Sequence, residues 1–69
     1  MYLLSQNKKI LIKFEKLTLS KTFGSYYINA FGVNNMEIIG EYDNEEQAKQ
    51  EFQHIMDALR QGQTVYEVR

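Results

Sequence analysis

The chain reads as an α+β fold, an antiparallel meander sheet of about five short strands with one C-terminal helix, at about residues 44–61, packed on one face. Three observations predict it. Apolar residues alternate with polar ones through the first two thirds of the chain, in runs broken by turn residues. One later stretch, YDNEEQAKQEFQHIMDALRQG at residues 42–62, carries a helix pattern from cap to stop. The chain has only 69 residues and no proline, so residues 1–69 are expected to form a single domain of one layer on another, with no linker or repeat.

The strands follow in order. YLLS and ILIKF flank the polar QNKK, which reads as two short strands around a turn, with Asn7 suited to the unusual backbone angles of that turn. Ile10, Ile12 and Phe14 then share one face, whereas the next apolar pair, Leu17 and Leu19, falls on odd numbers. Side chains alternate with period two, so this slip of one residue demands a short turn or sharp bend near Glu15 and Lys16. KTFGS is a glycine-containing loop before YYINAFGV, and Asn34 and Asn35 separate that run from MEIIGEY. Two asparagines between apolar runs predict a two-residue hairpin, because asparagine tolerates positive φ. In the second strand Met36, Ile38, Gly40 and Tyr42 are expected on one face, with Glu37, Ile39 and Glu41 on the other. The tail TVYEVR is a candidate final strand.

The helix is marked at both ends. Asp43 is the expected N-cap, with Glu46 three residues on in the capping-box position, Glu45 and Glu46 near the positive end of the helix dipole and Arg60 near the negative end. Gly62 is expected to stop it. Ala48, Phe52, Ile55, Met56 and Leu59 fall on one stripe, opposite Gln47, Gln50, Glu51, Gln53, His54 and Asp57. A sheet with no other cover needs that stripe, so the helix is read as a lid on the sheet.

A hydrophobic share of 43% with 25% charged residues is globular composition, which argues against disorder. With no cysteine, a disulfide-held secreted scaffold is excluded, and neither a secretory leader pattern nor a membrane-spanning run is visible, so a cytoplasmic protein with no membrane partner is expected. The net charge of −1 is unevenly spread. Residues 1–21 carry five lysines against one glutamate, a net of +4, whereas residues 37–57 carry seven acids against one lysine, a net of −6. Basic sheet surface and acidic helix face offset each other on this reading. The lysines Lys8, Lys9, Lys13, Lys16 and Lys21 also make a candidate nucleic-acid contact, the alternative function, although binders of that kind carry more arginine and a larger basic excess.

Residues with catalytic chemistry are sparse. His54 is the only histidine, on the polar side of the helix, with Glu51 and Asp57 one turn to either side. A metal site wants more nitrogen or sulfur ligands, and a catalytic dyad wants a nucleophile within reach, so a solvated histidine is expected, with no metal and no cofactor. Glu37 and Glu41 share a strand face without a cleft to work in, the four glycines form no phosphate-cradling motif, and the five tyrosines read as strand fillers. The expectation is a protein that is not an enzyme, with a small enzyme as second alternative.

SQNKKILIKF at residues 5–14 and IIGEYDNEEQAKQEF at residues 38–52 resemble segments of short proteins of unknown function from Gram-positive bacteria and their phages. Those begin with S-Q-[DN]-K-x-x-L-[IV] and later carry [IL]-[LI]-G-x-Y-x-[TN]-x-E-x-A. The resemblance implies an accessory or phage-associated bacterial protein, and it carries no activity or site residues across.

One helix covers one face of a sheet, yet apolar residues fall on both faces of several strands. Leu3, Leu11, Tyr27, Phe31 and Ile39 are therefore the candidate interaction surface of a small protein-interaction or accessory module acting through a sheet face or edge. The partner is expected to be a protein. A homodimer is favoured over a heterologous one, because a second copy would enlarge a small core or satisfy an open strand edge.

Overall fold

The computed structural model describes all residues 1–69. Strands β1 (Tyr2–Leu4), β2 (Leu11–Lys13), β3 (Lys16–Thr22), β4 (Ser25–Phe31) and β5 (Met36–Tyr42) precede helix α1 (Glu45–Arg60), and β6 (Val65–Glu67) closes the chain order. The α+β architecture is as the sequence predicts, but the strands divide into two sheets of three. β3, β4 and β5 form an antiparallel meander; β2, β1 and β6 form a smaller sheet in which β1 pairs antiparallel with β2 and parallel with β6. The tail is thus a strand, and its parallel pairing departs from an all-antiparallel meander because α1 carries the chain back before β6 begins.

The division into two sheets sits where the alternation slips. Phe14 and Glu15 form a bend between β2 and β3, so Ile12 enters the core from the small sheet while Leu17 and Leu19 enter it from the meander. On the inner face of the meander Leu17 pairs with Ala30 and Leu19 with Ile28, and α1 packs across that face. Leu3, Ile12, Ile28, Ala30, Ile39, Tyr42, Ala48, Ile55 and Val68 make one buried cluster between the two sheets and the helix.

β5 does not keep one face. A bulge opposite Ile28 and Asn29 inserts Ile39, so Met36 and Ile38 point out while Ile39, Gly40 and Tyr42 are all buried. The alternation expected for Met36, Ile38, Gly40 and Tyr42 is broken there. The Tyr42 ring lies over Gly40, where an added Cβ would stand 2.6 Å from the phenol oxygen, so any other residue would displace the ring.

Turns correct three expectations. In the loop after β1 the positive φ, 64°, belongs to Lys8, and Asn7 acts through its side chain, whose Oδ1 accepts from Ser5 Oγ at 2.6 Å and from the Lys9 N–H at 2.9 Å. β4 and β5 are joined by the four residues Gly32 to Asn35, closed by the Gly32 N–H donating to Asn35 O at 2.8 Å, and neither asparagine has positive φ. The two-residue hairpin lies instead between β3 and β4, where Phe23 and Gly24 have φ of 50° and 81°, the handedness of a type I′ turn.

Asn44, not Asp43, caps α1. Its backbone is extended and its Oδ1 accepts from the Gln47 N–H at 2.8 Å. At the other end the Gly62 N–H donates to Leu59 O and the Gln63 N–H to Ala58 O, with Gly62 at φ 76°, a Schellman stop that favours glycine. The buried stripe is Ala48, Glu51, Ile55 and Ala58, rotated from the expected one: Phe52 and Met56 are half-buried and Leu59 is exposed. The two alanines let the helix backbone lie close to its neighbours, which the larger residues would prevent.

Candidate functional site: an open sheet face, an open edge and a buried carboxylate

Since α1 covers the inner face of the meander, the register identifies what the outer face holds. Lys16 pairs with Phe31, Thr18 with Asn29 and Ser20 with Tyr27; on the other side Phe31 pairs with Met36 and Asn29 with Ile38. Tyr27, Phe31, Met36 and Ile38 therefore share a face that no element covers, with Met36 and Ile38 about half exposed. Asn29 is buried among them and ties the face to β3, its Nδ2 donating to Thr18 Oγ1 at 3.2 Å and Ser20 Oγ at 2.9 Å. The Lys16 ammonium sits 4.6 Å from the centroid of the Phe31 ring, a cation held on an aromatic face.

The candidate surface residues separate on this geometry. Tyr27 and Phe31 belong to the open face of the meander. Leu11 is exposed on the outer face of the small sheet, beside Leu4 and away from the meander. Leu3 and Ile39 are core residues, at 0% and 1% exposure, and present no surface. Ile39 is buried because of the bulge, and Leu3 because β1 is the central strand of its sheet and turns that side chain inward. Met36 and Ile38 were legible as strand residues, but their outward direction depends on the bulge.

The five lysines do not assemble into one patch. Lys8 is paired with Glu67, and this hydrogen-bonded contact lowers the Glu67 carboxyl below its ordinary pKa. Lys13 stands on the outer face of the small sheet, Lys16 on the outer face of the meander and Lys21 at an inner-face position beside Tyr26, with Lys9 exposed in the loop after β1.

The two long edges of the meander also differ. At β5 the Gln6 N–H donates to Ile39 O at 2.8 Å and Gln6 Oε1 accepts from the Glu41 N–H at 2.9 Å, so the edge is partly closed and the bulge distorts it further. β3 pairs only with β4, and the backbone groups of its other edge have no partner over seven residues. Phe23 follows it at the hairpin tip, fully exposed and in the left-handed region.

Glu51 was expected in solvent and is instead 5% exposed. Its Oε2 accepts from the Tyr66 hydroxyl and from the Arg69 N–H, both at 2.9 Å, and its Oε1 lies 3.2 Å from His54 Nδ1. Burial, and then the Glu51 hydrogen bond, push the Tyr66 phenol up to about 12. Burial, and then the Glu51 charge, also raise that of Tyr42, whose hydroxyl donates to Arg69 O at 3.2 Å. A polar cleft of about 350 Å³ opens beside this cluster, with Glu41, Asp43, Gln47 and Gln50 on its walls, and no serine or threonine hydroxyl lines it. Oε2 of Glu51 thus holds β6 and Arg69 to the helix, while Oε1 faces His54 one turn along the same helix. No group of three or more His, Cys, Asp or Glu side chains is arranged to hold a metal ion.

No protein-family model, no curated protein and no solved structure matches this chain.

Proposed function

We propose that the protein is a small non-enzymatic interaction module that docks an apolar stripe of another polypeptide on the open face of the meander sheet. One observation carries this reading: Tyr27, Phe31, Met36 and Ile38 lie together on a face that the helix leaves uncovered. Aromatic residues and methionine are enriched where proteins meet, and a contiguous exposed apolar patch is the usual mark of such a site. Lys16 at the margin, seated on Phe31, supplies a cation for an acidic residue of the partner. No helix is long and apolar enough to cross a membrane. A cytoplasmic accessory protein, bacterial or phage-associated, fits the motif resemblance. The scattered lysines support nucleic-acid binding less well, since phosphate recognition gains from cations on one surface.

Affinity purification from the native host, run with wild type and two charge variants, tests the proposal. A partner recovered with wild type and with Leu59→Glu, which alters an exposed helix residue, and lost with Ile38→Glu, supports the face. Binding to random-sequence DNA or RNA that falls steeply with salt, and that Ile38→Glu leaves unchanged, moves the function to the lysines.

A further inference from the structure

We infer that the open edge of β3 is a self-association site, at which two copies pair antiparallel about a two-fold axis through Leu19. This surface is distinct from the docking face and does not depend on it. Three observations carry it. The chain closes its other long edge with Gln6 and a bulge, whereas the seven-residue β3 leaves the outward N–H and C=O groups of its alternate residues unpaired, with no proline, no bulge and no positive φ. A row of free N–H and C=O groups takes up another strand, and a second copy of the same strand is always at hand.

The side chains select the register. A two-fold axis perpendicular to the sheet keeps like faces together, so paired residue numbers must sum to an even value. The register centred on Leu19 is the one that pairs all seven residues: Lys16 with Thr22, Leu17 with Lys21, Thr18 with Ser20 and Leu19 with itself. No lysine faces a lysine. The half-buried Leu17 and Leu19 extend the inner apolar face across the joint, and both helices lie on the same side of a six-stranded sheet.

Phe23 is the third observation. A phenylalanine with φ of 50° strains its backbone, and full exposure of its ring gives nothing back within the chain. The Leu19 register brings each β3–β4 hairpin tip beside the Phe14–Glu15 bend of the second copy, so an aromatic ring with no contact in one chain ends at the joint. A seven-residue edge is small against the ~1,200–2,000 Å² of stable interfaces, so the dimer depends on concentration.

The absence of native cysteine makes the register directly readable. Leu19→Cys should form an intermolecular disulfide under mild oxidation, since facing Cα atoms of antiparallel strands fall within the span a disulfide bridges. Thr18→Cys and Ser20→Cys should each stay free of cross-links alone and cross-link when mixed. Light scattering of wild type should rise from the 8.2 kDa chain mass toward twice that value between micromolar and millimolar concentration. The variant Thr22→Lys, an exposed residue that faces Lys16 of the second copy at both ends of the joint, sets lysine against lysine and should lower that association several-fold while circular dichroism shows an unchanged fold. A monomer mass up to millimolar concentration overturns the inference. So does a dimer that Ile38→Glu dissociates and Thr22→Lys leaves intact, which would place the contact on the docking face.

Discussion

The two faces of the meander sheet are built from the same three strands and differ in what covers them. On the inner face Leu19, Ile28 and Ala30 meet α1, and Ile28 and Ala30 are fully buried; on the outer face no helix or strand packs over Tyr27, Phe31, Met36 and Ile38. Hydrophobicity along the strand does not separate them, since Ile28 and Ile38 are the same residue. Cover by the helix does. An apolar residue contributes to folding in proportion to the area it loses to solvent, so the two faces should answer differently to the same substitution.

The largest expected effect tests that contrast directly. Ile28→Ala should cost about 2–5 kcal/mol of stability, through lost burial and the cavity left behind, whereas Ile38→Ala should stay within about 0.5 kcal/mol. Equal shifts of the denaturation midpoint in the two variants would mean that something covers the outer face in solution.

Next in size is the polar margin of the covered side. Glu51→Ala leaves the Tyr66 hydroxyl and the Arg69 N–H without their acceptor, at a cost of about 1–3 kcal/mol, and amide exchange in β6 should quicken with it. The same cluster gives an alkaline signature. The Tyr66 phenol is raised from the ordinary 10.0 to about 12, so the folded state keeps a proton that the unfolded chain has lost between those values. Its contribution is whole below pH 10 and fades as pH rises toward about 12, by the linkage of proton binding to folding. Denaturation midpoints followed through that window should fall, and Tyr66→Phe should flatten the decline.

The smallest effect concerns the helix start that lays the cover over the inner face. Asn44→Ala should cost about 1 kcal/mol, with Asp43→Ala close to neutral, because only the Asn44 side chain accepts a first-turn N–H. Urea titration of both variants checks this, and a larger loss from Asp43 would return the cap to that residue.

How far the site was legible depends on the range of the signal. The bend at Glu15, the helix and its Gly62 stop are local, and alternation or end chemistry marks each of them. Tyr27 and Phe31 were found because strand alternation put them opposite inward neighbours. Phe23 carried a usable signal, since a residue followed by glycine between two runs is hairpin chemistry, but the exposure of its ring follows from nothing local. The choice between Asp43 and Asn44 was ambiguous in the sequence, as each is followed three residues later by a residue of capping-box type.

The sequence by itself determined the α+β class, the strands and helix and most of their limits, because period-two and helical patterns, caps and turn residues act over a few neighbours. The tertiary structure decided the rest. It split the strands into two sheets at the bend, set β6 parallel to β1, and turned the helix so that Ala48 and Ala58 face inward. It also buried Glu51 against Tyr66 and Arg69, and used the bulge at Ile39 to send Ile38 outward. Each of these depends on partners distant along the chain, and the direction in which a side chain points is settled only when the whole core packs at once.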